Sequence, residues 1–115
     1  MYFALLNPQG NFDAADSNWT MHPDFGGQLV YVKELALALS SFGHSVDIFT
    51  RSYHDSKFPM FAERFDHYSD NDLVRIVRLP CGGNDFVRKE DLWPYLKEWT
   101  DNIVDFLQEE NLHPD

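Results

Sequence analysis

Cys81 is the only cysteine in the chain, so no internal disulfide can form and a reducing compartment suits it. No apolar run approaches the length needed to span a bilayer. The opening Tyr2-Phe3-Ala4-Leu5-Leu6 has no basic region before it and runs straight into Asn7-Pro8, unlike a secretory leader. The expectation is a cytoplasmic protein with no membrane contact. Basic residues are also scarce: 9 Lys and Arg stand against 19 Asp and Glu, a net charge of −10. They are scattered and form no stripe, which argues against a nucleic-acid partner. Any phosphate site must then be made locally, from amides and one or two cations. A Walker A loop, a nucleophile elbow and Cys-x-x-Cys are all missing. The histidines at 22, 44, 54, 67 and 113 show neither H-x-x-x-H nor H-E-x-x-H spacing, so no metal site is expected.

What is present suits one small α/β domain. At 115 residues there is room for a single modest core, and 43% hydrophobic with 16% aromatic residues argues for a folded chain despite its charge. Tyr2 to Leu6 is a short apolar run stopped by Asn-Pro-Gln-Gly, which predicts a first strand buried on both faces. Asn7 to Phe25 is a long polar loop without periodicity, and loops of that length in compact domains are usually functional. Gly27 to about Ser41 predicts a helix apolar on most sides and hence buried, with Gly43 as its stop. Ser45 to Thr50 predicts a second strand, with Asp47 in its middle facing a polar neighbour. Arg51 to Asp72 is irregular, polar and aromatic, with room for a weak extra strand or a turn. Val74-Arg75-Ile76-Val77-Arg78-Leu79 predicts a third strand nearer an edge, one face wetter than the other. Asp91 to about Glu110 predicts an amphipathic helix, with Pro94 in its first turn and Trp99 on the apolar stripe. The order predicts a parallel-type Rossmann-like layer with right-handed crossovers.

The chemistry concentrates in His22-Pro23-Asp24-Phe25-Gly26-Gly27-Gln28, which breaks directly into the first helix. Two adjacent glycines let a backbone approach a ligand closely, and the first free amides of the helix favour an anionic group. The same pair also serves as a tight turn with no ligand, and the pattern alone does not choose between them. A dinucleotide fingerprint fails, because G-x-G-x-x-G is absent and the preceding loop is too long. Lys89 follows the third strand on the carboxyl side of the sheet, where ligands of open α/β folds collect. It can reach a sugar hydroxyl or phosphate, or sit solvated with Arg88 among Glu90 and Asp91. Gly82-Gly83 adds a second flexible turn at the same rim.

Taken together, Asn7-Pro8-Gln9-Gly10-Asn11-Phe12, Asp24-Phe25-Gly26-Gly27-Gln28-Leu29-Val30-Tyr31-Val32, Gly82-Gly83 and Lys89-Glu90-Asp91-Leu92-Trp93-Pro94-Tyr95 resemble the beginning of a bacterial sucrose-phosphate synthase. The likeness covers essentially the whole chain. It implies a retaining glycosyltransferase of the two-domain GT-B fold, active in sucrose biosynthesis, that moves glucose from UDP-glucose to fructose 6-phosphate. Carried onto this sequence, it implies that Gly26 and Gln28 contact the acceptor sugar phosphate, that the Gly27 amide meets the donor diphosphate, and that Lys89 binds acceptor hydroxyls. It implies no bound cofactor, UDP-glucose being a co-substrate and Mg2+ at most an activator.

The family's catalytic groups lie beyond the residues matched here. The likeness therefore makes 1–115 an incomplete amino-terminal Rossmann-like domain, inactive alone, with no catalytic residue of its own. Its partners are a sugar phosphate, a sugar nucleotide and the remainder of the enzyme. A first strand lacking its next neighbour leaves an apolar edge open to self-association. Two other readings stay open: a sucrose synthase-like enzyme with another acceptor, and a non-catalytic sugar-phosphate-binding module.

Overall fold

Three runs rich in β-branched and aromatic residues form the parallel part of the sheet in a computed structural model that describes residues 1–9, 12, 27–68 and 71–115. They are β1 (Tyr2–Leu6), β2 (Ser45–Arg51) and β4 (Val74–Leu79), with a short β3 (Phe65–His67) between the last two in sequence. The spatial order is β1-β2-β4-β3, and β3 alone runs antiparallel. Two helices, α1 (Gly27–Ser41) and α2 (Leu96–Glu109), complete the α/β layer.

Register sorts the side chains into two cores. Phe3 lies opposite Val46 and Val46 opposite Val74; Leu5, Ile48 and Ile76 form the next row. Because successive residues of a strand face opposite sides, these rows share one face, where they pack with Leu29 and Ala36 of α1 and with Phe12. The alternate residues Phe49, Val77 and Leu79 meet Trp99, Ile103 and Phe106 of α2 on the other. Phe49 and Phe106 touch edge to face at 5.6 Å. The expected stripe residue Trp99 is indeed core, and its indole N–H donates to Thr50 O at 3.1 Å.

Several elements depart from the expected pattern. β1 is half-buried rather than buried on both faces, because it lies at the end of the sheet order. α1 buries only Leu29, Ala36 and Ser40; Tyr31 is 68% exposed, and Val30 and Leu35 also face outward. An apolar sequence therefore does not make this helix buried on all sides, since the sheet lies against one side of it. β4 is internal, covered on its outer side by the weak extra strand that the irregular segment supplies, here β3. Its arginines do not form a wet face: Arg78 is 2% exposed. α2 begins at Leu96 rather than Asp91, after two short 3-10 turns at Lys89–Asp91 and Trp93–Tyr95.

Asp47 faces polar neighbours, as expected. It accepts a hydrogen bond from the Tyr2 hydroxyl at 2.6 Å and a forked pair from Arg75 at 2.9 and 2.8 Å. Burial and then the Asp47 carboxylate push the Tyr2 phenol above its usual range. The bond to Asp47 likewise raises Arg75. This cluster stitches β1, β2 and β4 at mid-sheet.

The free edge of β1 carries alternate peptide groups. Met1 O accepts from Ser45 N–H, and Asn7 N–H donates to Phe49 O, so the odd residues point to β2 and Tyr2, Ala4 and Leu6 point away. Asp115 N–H donates to Tyr2 O at 2.9 Å, and Tyr2 N–H donates to the Asp115 carboxylate at 2.8 Å. Among the described residues no backbone group pairs with the outward peptides of Ala4 and Leu6, and Leu6 is 58% exposed. The chain should therefore associate as its concentration rises in sedimentation velocity. Leu6→Lys, which sets a charge on the edge, should keep it monomeric; equal association by both would contradict an edge-mediated contact.

Candidate functional site at the carboxyl rim of the sheet

Parallel strands direct their carboxyl ends to one rim, and the loops leaving β1, β2 and β4 gather there. The first cluster on this rim is built from amides. Asn7, one residue past β1 and 1% exposed, continues the ladder through its N–H to Phe49 O at 2.9 Å. Its side-chain amide donates to Gln9 O at 2.7 Å. Gln28, in the first turn of α1, donates from Nε2 to Asn7 Oδ1 and accepts from Gln9 Nε2 at Oε1. The end of β1 and the start of α1 are thereby tied through the carboxamide of Gln28, beside the helix amides that favour an anion. No acidic residue lies in that first turn to compete for them.

Gly27 starts α1, and a Cβ built there meets nothing within 4 Å. Packing among the described residues therefore does not demand a glycine at this place. Among the described residues nothing crowds its Cβ position, as close approach of a ligand requires. Gly26 lies outside the described residues.

A buried arginine anchors the rim at each of two strands. Arg78, near the end of β4, donates to Phe12 O at 2.7 Å and Glu63 O at 3.1 Å and lies 3.3 Å from the Asp66 carboxylate. It thus holds a point of the first loop, Phe12, onto the sheet. Arg51, the last residue of β2 and 3% exposed, donates to Cys81 O at 2.8 Å, Gly83 O at 3.3 Å and Asp85 O at 2.8 Å. Burial pushes the Cys81 thiol up, an effect that Arg51 only partly opposes, so this cysteine is poorly suited to thiolate chemistry.

The loop that Arg51 holds leads to Lys89. Gly82 and Gly83 adopt positive φ of 66° and 84°, Gly82 N–H donates to Glu98 Oε1 at 2.8 Å, and the Tyr95 ring lies against Gly82. Lys89 is exposed, and its ammonium makes no hydrogen bond or ion pair among the described residues. Arg88 instead pairs with Asp91 at 3.0 Å. Gln28, in the first turn of α1, and Lys89, in a 3-10 turn, stand at one rim of the sheet, and no hydrogen bond joins them. Trp93 is 81% exposed on the same segment.

Asn7, Gln9, Arg51 and Arg78 were not among the residues that the sequence marked as candidate ligands. Asn and Gln after a strand read as loop polarity, and nothing local separates an arginine that turns inward from one that stays in solvent. The adjacent Gly82-Gly83 was the available hint for Arg51, since a turn that exposes carbonyls needs a donor.

No protein-family model matches the chain. It is 54% identical over 110 residues to a probable sucrose-phosphate synthase of Thermosipho melanesiensis, covering 96% of this chain and 26% of that protein. It is 43% identical over 90 residues to a mannosylfructose-phosphate synthase of Agrobacterium fabrum, covering 78% and 18% respectively. Among solved structures, a sucrose-phosphate synthase from Thermosynechococcus elongatus superposes with a TM-score of 0.75 at 22% identity, over 96% of this chain and 25% of that one, which establishes the shared fold. The chain spans about a quarter of the length of the first curated relative. Among the described residues no helix is long and apolar enough to cross a membrane.

The geometry around Gly82 has a measurable consequence. A Cβ on Gly82 would lie 2.8 Å from the Tyr95 ring on a backbone at φ +66°, whereas Gly83 at φ +84° has nothing within 4 Å. Gly83→Ala should cost about 1–2 kcal/mol for its left-handed backbone, and Gly82→Ala more, because the ring must also shift. Urea unfolding compares them directly, and equal midpoints would contradict the packing of Tyr95 on Gly82.

Proposed function

We propose that this chain, a homologue of the sucrose-phosphate synthases, forms the acceptor-binding wall of a glycosyltransferase that moves glucose from UDP-glucose to fructose 6-phosphate, giving sucrose 6-phosphate. The observation that carries this reading is the tethered carboxamide of Gln28 at the amino end of α1, beside a Gly27 whose Cβ position meets nothing within 4 Å among the described residues. In this arrangement Gly26 and Gln28 meet the acceptor phosphate, Gly27 turns its amide to the donor diphosphate, and Lys89 reaches the acceptor hydroxyls. A chain of net charge −10 attracts no anion at long range. Local amides and a lysine unpartnered among the described residues suit a small phosphorylated sugar better than a polyanion.

In this reading residues 1–115 are the amino-terminal portion of a Rossmann-like domain in a GT-B enzyme. The catalytic groups and the opposite wall of the cleft belong to the remaining length that the relatives have. The two relatives' names support placing the acceptor on this side. Sucrose phosphate and mannosylfructose phosphate share a fructose phosphate part and differ in the sugar joined to it. A segment alike in both suits the common part. The second relative also favours one alternative, a donor sugar other than glucose on the same acceptor.

The test is initial-rate kinetics in a protein of the relatives' length carrying this sequence. Gln28→Ala should raise the KM for fructose 6-phosphate roughly tenfold, the effect of a lost hydrogen bond to a charged group, and lower turnover. Lys89→Ala should raise the same KM and leave that for UDP-glucose unchanged. Wild-type constants in both variants would remove the acceptor assignment.

A further inference from the structure

Arg51 is a buried cation with no carboxylate within ion-pair distance among the described residues. Its counter-charge consists of main-chain dipoles: the carbonyls of Cys81, Gly83 and Asp85 converge on Nε and Nη2 at 2.8, 3.3 and 2.8 Å. Carbonyls from alternate residues facing one guanidinium require a fixed loop conformation, and the positive φ of Gly82 and Gly83 supplies it. Burying a charge costs free energy unless its donors are met. A guanidinium fork can meet several acceptors in fixed directions where a lysine cannot.

The loop has further ties at both ends. His54 N–H donates to Asn84 O at 2.6 Å, and Tyr53 packs on Phe86 with centroids 5.4 Å apart. Beyond the tip, Leu92 is 4% exposed, and Tyr95 and Glu98 close back on Gly82. Between these anchors stands Lys89, its main chain in a 3-10 turn and its ammonium without a partner among the described residues.

We infer that Arg51 is a positioning residue: by clamping the 81–85 carbonyls it sets the place from which Lys89 reaches a sugar acceptor. This rests on the acceptor role of Lys89 proposed above, and the two ideas can fail separately. The clamp acts on the loop and touches no substrate, so its loss should alter acceptor binding through Lys89 alone.

The experiment uses Arg51→Lys, and Arg51→Gln should the lysine variant not fold, in a protein of the relatives' length carrying this sequence. Two readouts are taken, limited trypsin digestion and initial-rate kinetics. Cleavage after Arg88 and Lys89 should accelerate roughly tenfold, while cleavage after Lys33 in α1 keeps its wild-type rate. The KM for fructose 6-phosphate should rise roughly tenfold, with that for UDP-glucose unchanged. Combined with Lys89→Ala, the Arg51 change should add nothing further, since both act through one contact.

A lowered melting temperature with wild-type KM and wild-type cleavage at Arg88 would overturn the clamp, as would independent, multiplicative effects in the double variant. If Lys89→Ala leaves the acceptor KM unchanged, the acceptor role of Lys89 fails and with it the functional half of the inference, and the trypsin rates still decide whether Arg51 holds the loop.

Discussion

A buried guanidinium facing main-chain carbonyls is the interaction on which the rim of this protein depends. Arg78 and Arg51 stand at the carboxyl ends of β4 and β2, and each turns inward, where a charge is costly, to hold a loop. Arg78 fixes Phe12 and the segment before β3; Arg51 fixes the glycine turn after β4. Loops on a parallel sheet have few ladder bonds of their own and need such donors to be ordered. The sheet supplies rigidity, and the arginines transmit it to the loops.

The amide cluster of Asn7, Gln9 and Gln28 ties residues 7–9 to the start of α1 without a charge. A carboxamide both donates and accepts, so Gln28 can tie two partners and still stand at the amino end of a helix, where anions are favoured. Lys89 contributes the complementary feature, a cation with no partner among the described residues. A tied carboxamide and a lysine head unpartnered among the described residues thus lie on one rim of the sheet, the arrangement on which the proposed sugar-phosphate site rests.

Most strand positions were readable from the sequence because their apolar runs are short and bounded by clear breakers; Ser45 and Val74 begin β2 and β4 where expected. Gly43, at φ +86°, ends α1 as anticipated. What could not be read was the environment on each side. The Val74 to Leu79 run suggested a wet face, yet Arg75 is matched by Asp47 and Arg78 by carbonyls distant in sequence. The apolar richness of α1 suggested complete burial, whereas Tyr31 is outside, since composition cannot say how many neighbours a helix has. Of the candidate residues, Gln28 and Lys89 were legible as residues at the carboxyl rim of the sheet. The partners of Gln28, Asn7 and Gln9, and the arginine that bonds the 81–85 carbonyls, Arg51, were not, because each depends on a tertiary contact with no local pattern.

The central claim is that the loops leaving β1 and β4, with the start of α1, receive a phosphorylated sugar. Amide hydrogen exchange of a protein of the relatives' length carrying this sequence, with and without fructose 6-phosphate, tests it most directly. Slowed exchange confined to residues 7–9, 27–30 and 82–89 is the result this account predicts. Binding of the sugar with unchanged exchange in all three segments would contradict it.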